Sequence, residues 1–312
     1  MVCQASSIVT GFRPAGRAAV HWPVGRRWAL VEVGLAATIW ASSFVGVKLA
    51  LEHTGPLTVA GLRYFLAFLL FVPLLWRNRP ALPPGAWPRL TAIGVAQYTV
   101  GNAALFWSLR NLSATAGSLS LSLVPIVVLL LQVVRLGERP NGMALLGVAL
   151  CVGGSVLFFL PTFEAGDAAA LGGLAVAILA FSVLPVLGRE LARANSVRTV
   201  PLTAIPLGIG GGILVMGALA LEGVPRMPPA AWGIIAGLAV VNTALAYLLH
   251  NHALQQLTAT EANVILNLSP LGTALLAWAT LGERLTGWQL LAMATVLVGV
   301  VLVQVRRRGW VP

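Results

Sequence analysis

Apolar residues in this chain come in unbroken stretches of about twenty rather than in the one-sided stripes of a soluble helix. Ten such stretches cover approximately 29–51, 56–76, 88–109, 114–135, 141–160, 170–188, 199–221, 230–250, 258–281 and 286–305. A helix needs about 20 apolar residues to cross a hydrocarbon core of roughly 30 Å, so each stretch predicts one spanning helix. Barrel strands would instead be about ten residues long and alternate in character. The stretches are separated by turn material such as "HTGP", "RNRPALPPG", "PTFEAGD" and "EGVPRMPP". Connections this short leave no room for a soluble domain.

The pattern also repeats. "LVPIVVLLLQVVRLGER" (Leu123 to Arg139) returns as "LSPLGTALLAWATLGER" (Leu268 to Arg284), with Pro125 and Pro270, and Glu138 and Glu283, both 145 positions apart. "LSAT" at Leu112 falls on "LTAT" at Leu257 in the same register. Earlier, "WASSFVGVK" from Trp40 aligns with "FSVLPVLGR" from Phe181 at an offset of 141, as does Thr58-Val59 with Thr199-Val200. An internal duplication follows. Its halves are 29–160 and 170–305, with five spans each, flanked by a basic tail at 1–28 and a short one at 306–312. An odd number of spans per half requires the second half to sit upside down relative to the first. The expected fold is therefore an all-α polytopic membrane protein, with ten transmembrane helices as two inverted five-helix repeats around a central cavity. Inverted repeats of this kind serve alternating access, with a site near the midplane between the halves.

Composition sharpens this picture. The chain is 58% hydrophobic and 9% charged, against roughly 25% charged in soluble domains, which excludes a soluble protein. The net charge of +11 invites a nucleic-acid reading, but its distribution points elsewhere. Alternating the ten spans from an inner N-terminus puts fifteen Lys and Arg on inner segments and three (Arg110, Arg226 and Arg284) on outer ones. That bias predicts cytoplasmic termini in a plasma (inner) membrane. The basic excess reports orientation and lipid contact, with no nucleic-acid partner. Cys3 and Cys151 form neither a disulfide framework nor a metal motif, and the basic tail does not read as a cleaved signal. No cofactor is expected.

Trp40 to Lys48, the "LRYFLA" of the second stretch and the paired Pro…LGER segments resemble the EamA branch of the drug/metabolite transporter superfamily. The resemblance covers about 29–305 and implies ten helices, cytoplasmic termini and a central cavity. It also implies transport of amino acids or other small metabolites. Phe181 stands where the family's second repeat often has Trp.

Positions spaced i, i+4 and i+7 share a helix face. In the fourth stretch these include Ser118, Ser122 and Pro125, and in the ninth Asn263, Asn267 and Pro270, the same positions moved by 145. A polar stripe duplicated in both halves should face the interior, and each proline should kink its helix. The alternative role is interhelical hydrogen bonding. Tyr98 and Asn102 in the third stretch map on Thr243 and Tyr247 in the eighth, Gln97 maps on Asn242, and His250 follows Tyr247 by three. Trp40, Tyr98, Asn102, Thr243 and Tyr247, together with Ser118, Ser122, Asn263 and Asn267, are expected to line the substrate site, with Gln97 and Asn242 adjoining that face. Lys48 and Arg63, the cations of the first two stretches, are either anion contacts or structural, through snorkelling of Lys48 and pairing of Arg63 with Glu52 or helix carbonyls. Glu261, with His250 and His252 near the inner mouth, is a candidate for proton coupling or an inner gate. Thr258 and Glu261 also fit a capping box. Glu32 reads as a solvated charge. The glycine clusters at Gly147–Gly154 and Gly208–Gly212 read as packing sites.

The function expected is secondary transport of a small organic metabolite across the lipid bilayer by alternating access. An amino acid or aromatic compound is the favoured substrate, and export the favoured direction. A non-transporting receptor or scaffold is the alternative. An integral-membrane enzyme is disfavoured, because the four histidines and nine acids are scattered.

Overall fold

The computed structural model describes residues 25–78, 82–83, 85–124, 126–128, 130–131, 142–159, 167–183, 187, 199–253, 257 and 265–304. Every regular element among these is helical. In chain order they are α1 (Arg26–Leu51), α2 (Pro56–Asn78), α3, α4 (Ala114–Leu121), α5 (Gly142–Phe159), α6 (Asp167–Phe181), α7 (Thr199–Leu221), α8, α9 (Ser269–Leu281) and α10 (Gly287–Gln304). Both α3 and α8 are continuous rods with a π-helical middle. The first is Ala86–Ile93, Gly94–Gly101 and Asn102–Ser108, and the second Pro229–Ala239, Val240–Leu245 and Ala246–Ala253.

Four helices among the described residues are long and apolar enough to cross a membrane: Arg26–Leu51, Pro56–Arg77, Val200–Leu221 and Pro229–His250. Leu145–Phe159, Ala168–Phe181 and Gly287–Leu302 are shorter apolar helices. The lateral surface is apolar as well, with Leu145, Val152, Leu179, Met216, Leu275 and Leu291 all exposed. This is the surface of a multi-pass membrane protein, whose backbone polar groups are satisfied within its own helices.

Local sequence sets the helix ends. Ser113 opens α4, its Oγ accepting from Ala116 N at 3.0 Å. Thr286 and Gln289 open α10 reciprocally: Gln289 Oε1 accepts from Thr286 N at 3.0 Å and Thr286 Oγ1 from Gln289 N at 3.2 Å, a capping-box arrangement. Gly282 closes α9 at φ 69°, a left-handed conformation that glycine adopts without steric penalty. The turn it makes lets Gly282 N and Glu283 N both reach back to Ala277 O, the latter at 3.2 Å, which satisfies a carbonyl at the helix end.

Packing follows the small residues. A Cβ at Gly154 would come within 2.8–3.0 Å of Val296 and the Ala292 carbonyl, and one at Gly299 within 2.7–2.8 Å of Cys151 and the Gly147 carbonyl. Gly154 and Gly299 are 145 positions apart, so α5 and α10 pack antiparallel through matching faces. The cluster Gly208–Gly212 behaves similarly on α7. Gly208 lies against Phe68, and Gly211 against the backbone of Tyr64 and Phe65, while on α2 Gly61 lies against Leu214 and Val215. Helices α2 and α7 are thus antiparallel too. Elsewhere α1 packs on α8 and α9, and α3 on α6 and α7.

Candidate functional site

The two π-helical segments occupy matching places, since residues 95–100 moved by 145 become 240–245. A π segment shifts the helical bonds from i−4 to i−5. Side chains here reinforce that spacing. Asn102 Nδ2 donates to Gln97 O at 2.7 Å, Thr99 Oγ1 to Gly94 O at 3.5 Å, and Thr243 Oγ1 to Leu238 O at 3.0 Å, each five residues back. Single-turn π insertions of this sort recur at functional sites.

Between them lies Arg63, 4% exposed and seven residues, or about 10 Å, inside α2. Its Nε donates to Thr243 Oγ1 at 2.8 Å, Nη1 to Ser43 Oγ at 2.6 Å and Nη2 to Asn242 O at 3.2 Å. The guanidinium carbon also lies 5.2 Å from the Tyr64 ring centroid and 6.0 Å from that of Phe106, within cation–π range. Glu52, expected as a partner from sequence, is not among the partners of Arg63. The Asn242 carbonyl accepts from Trp40 Nε1 as well, at 3.1 Å. The Asn242 amide Nδ2 donates to Ser42 Oγ at 2.9 Å.

From Trp40 a string of rings runs through the protein. Its centroid lies 5.3 Å from those of His250 and Tyr247. Tyr247 is 6.0 Å from Tyr98, and Tyr98 is 5.4 Å from Tyr64. These edge-to-face and tilted contacts are favoured by ring quadrupoles. Tyr64 OH donates to Asn102 Oδ1 at 2.6 Å and Gln97 Nε2 donates to Tyr247 OH at 3.4 Å. At one end of the string His250 Nδ1 is buried without a hydrogen-bond partner. Trp40, Tyr98, Asn102, Thr243, Tyr247, His250 and Arg63 therefore form one constellation.

The other expected residues that the structure describes lie in or beside α4 and α9. Ser118 and Ser122 are buried in or just after α4, and Ser118 Oγ bonds back to Thr115 O at 3.0 Å, within its own helix. Regular helix breaks at 122–123 and again at 267–268, positions 145 apart. Pro270 sits in the first turn of α9 just after the second break, where its missing N–H leaves no helical bond unmade. Asn267 lies in that break with Nδ2 buried and unpartnered. Pro125, Asn263 and Glu261 lie outside the described residues.

Charged groups tie helix ends together. Lys48 Nζ donates to Leu109 O and Leu112 O, both at 2.9 Å, tying α1 to the end of α3. The Glu222 carboxylate accepts from Leu57 N, Thr58 N and Thr58 Oγ1 at 2.9, 2.8 and 2.7 Å, capping α2. Glu283 does the same for α4, accepting from Ala114 N at 2.7 Å, Thr115 N at 3.3 Å and Thr115 Oγ1 at 2.9 Å. All three ties lie at one end of the bundle. A cavity of about 180 Å³ lined by Lys48, Leu51, Glu52, Leu109 and Arg110 opens there. Beside it lies an apolar groove of about 390 Å³ between α2, α3, α6 and α7. Glu32 corrects the sequence reading: it is 9% exposed and pairs with His252 Nδ1 at 2.9 Å instead of sitting in solvent. Among the described residues no group of three or more His, Cys, Asp or Glu is placed to hold a metal.

Sequence reasoning missed Ser43, Tyr64 and Glu222. Ser43 carried a signal, since it follows Trp40 by three and so shares its face. Tyr64 adjoins Arg63 in the same "LRYFLA" string. Glu222 carried none, because a lone acid after a helix usually reads as a loop charge.

Known proteins resemble the chain in both sequence and fold. The sequence model described as the EamA-like transporter family matches it twice, over residues 27–160 and 168–305. An uncharacterized transporter of Archaeoglobus fulgidus is 28% identical over 261 residues, covering 81% of this chain and 89% of that protein. A probable terminal-alkyne amino-acid exporter of Streptantibioticus cattleyicolor is 25% identical over 289 residues, covering 90% and 94%. One solved crystal structure superposes with a TM-score of 0.65 at 17% identity, over 89% of this chain and 98% of the other, a likeness of fold.

Proposed function

Because the chain belongs to the EamA-like transporter family, we propose that it is a secondary transporter carrying a small organic metabolite, amino acids or aromatic compounds being the favoured class, outward across the plasma membrane. In this reading ten helices form two inverted repeats, 29–160 and 170–305, with both termini cytoplasmic. The antiparallel, matching-face packing of α5 on α10 supports that arrangement, because an in-plane two-fold brings equivalent helices together in opposite directions.

The observation that carries the transport reading is the buried constellation between the two π segments. Arg63, Trp40, Tyr98, Tyr247 and the Asn242 carbonyl bring residues of both halves to one place, well inside the helices. Polar and ionisable side chains inside a membrane mark a transport path by default. Rings with polar tips suit an amphipathic metabolite, and the exporter of Streptantibioticus cattleyicolor is named for amino acids. Asn263 and Asn267 belong to the same proposed lining, and Glu261 to a proton-coupled gate at the inner mouth.

By this topology the end holding Lys48, Glu222 and Glu283 faces outward. Their ties to the first turns of α2 and α4 and the last turn of α3 keep that side closed in this conformation. Opening it requires breaking them, as alternating access demands.

The test is an untargeted metabolite comparison of deletion and overexpression strains, followed by reconstitution of the purified chain with the leading compounds. Accumulation of a compound inside deletion cells, with flux in proteoliposomes, is expected. Identical metabolite profiles and no flux would overturn the reading. A C-terminal reporter active only on the outside of the cell would overturn the topology.

A further inference from the structure

The Arg63 guanidinium is a full positive charge deep inside a helix of the bundle, yet every partner it has is neutral: two hydroxyls, one carbonyl and two ring faces. No carboxylate lies within ion-pair distance of it among the described residues. Removing a charged group from water costs several kcal/mol, which neutral dipoles offset only in part. Natural proteins seldom leave a buried cation in that state unless something else supplies the opposite charge.

The hydrogen-bond inventory points the same way. A guanidinium has five N–H donors, and three are used here. The acceptors on Nη1 and Nε are the hydroxyls of Ser43 and Thr243, side chains that rotate freely enough to yield their places. Thr243 keeps a partner when it does so, since its Oγ1 also donates to Leu238 O. Nη2 shares the Asn242 carbonyl with Trp40 Nε1, so the cation lies beside the Trp40 indole, whose ring in turn contacts those of Tyr247 and His250. One pole is charged and the adjacent wall is aromatic.

We propose that Arg63 is the recognition point for a carboxylate on the transported compound, so that the substrate class is small amphipathic acids, amino acids included, and excludes the corresponding amines and amides. The inference rests on the transport reading above and adds the charge of the cargo to it. The carboxylate replaces the Ser43 hydroxyl on Nη1 and engages the unused N–H of Nη2, in the forked geometry that guanidinium groups favour. The apolar part of the substrate lies along the Trp40 and Tyr247 rings. Lys48, by contrast, spends its ammonium on the carbonyls of Leu109 and Leu112 and takes no part.

The experiment uses the full chain in proteoliposomes and four probes: L-phenylalanine, 3-phenylpropionate, L-phenylalaninamide and 2-phenylethylamine. The pairs share a ring and differ in whether a carboxylate is present. The expected result is flux of one or both acids at least tenfold above the amide and amine in the unaltered protein, which requires no variant to fold. Arg63→Gln should abolish that preference, whereas Arg63→Lys, which keeps the charge but loses the fork, should retain the preference with a raised KM. Size-exclusion profiles and melting temperatures of both variants separate these effects from loss of fold. A purely structural Arg63 would leave the acid preference of any folded Arg63→Gln protein intact, which overturns the inference. Equal flux of acids and amines in the unaltered protein also overturns it while leaving transport standing. No flux of any probe refutes the amino-acid or aromatic substrate reading and the inference together.

Discussion

Glu283→Gln isolates the contribution of a single charge to the closed end of the bundle. The carboxylate caps the first turn of α4 with three hydrogen bonds of 2.7–3.3 Å. An amide keeps one acceptor oxygen and turns an NH2 toward the donor opposite the other. If the oxygen stays on Thr115, the Ala114 N–H is left without its partner. One charge-assisted bond is worth about 1.5–3 kcal/mol, and the interaction of a negative charge with a helix N-terminus about 0.3–1 kcal/mol. Because Glu283 is only half-buried, water replaces some of this, and about 2 kcal/mol is the net expectation. On the proposed alternating-access reading these bonds hold only in the closed state, so their loss shifts the closed-to-open ratio by the same amount, roughly thirtyfold. The readout is the labelling rate of Leu51→Cys, beside the 180 Å³ cavity, by a membrane-impermeant maleimide. Cys3 and Cys151 are first replaced. A rate raised by more than tenfold is expected. A folded variant whose labelling changes by less than twofold would refute the assignment of these bonds to closure.

Further outcomes follow from the same geometry. Gly154→Ala should lower stability in a detergent melt by about 1–3 kcal/mol because its Cβ meets the α10 backbone, while Gly153→Ala, with nothing within 4 Å, should be neutral or slightly stabilising. Asn102→Leu leaves Tyr64 OH without its acceptor and removes the side-chain bond to Gln97 O, so a loss of about 1–3 kcal/mol and reduced flux are expected. A melting temperature equal to that of the parent protein would contradict it. Lys48→Met should cost about 2 kcal/mol of stability and leave the ranking of transported compounds unchanged. A changed ranking would move Lys48 into the binding site.

Much of this was readable in the residues because the duplication carries its own check. Once Pro125 maps on Pro270, the same 145-residue shift pairs Tyr98 with Thr243 and Asn102 with Tyr247, and these four lie in or beside the matching π segments. The glycine clusters were legible for a similar reason, since small residues among bulky ones mark where helices touch. What stayed hidden depends on distance through space. Nothing in the local string around Arg63 announces Thr243 or Asn242, which lie 180 and 179 positions away. Glu222 and Glu283 follow helix ends and read as loop charges, yet each caps a helix more than 160 positions away. Glu32 looks solvated from its basic neighbours, and only the approach of His252 from the far end of α8 reveals otherwise.

A π segment is a helix that has taken in a surplus residue, and α3 and α8 each hold theirs at the same point of the duplicated sequence. Moving that surplus along by one position re-registers the residue it passes, turning it by about 100° and displacing it by about 1.5 Å, without unwinding either end. Each rod thus holds one place where side chains can be re-aimed while the helix on either side stays wound. Asn242 and Thr243, the partners of Trp40 and Arg63, lie in the second of these places, so a shift of the surplus residue would re-aim both with the short turns between helices left undisturbed.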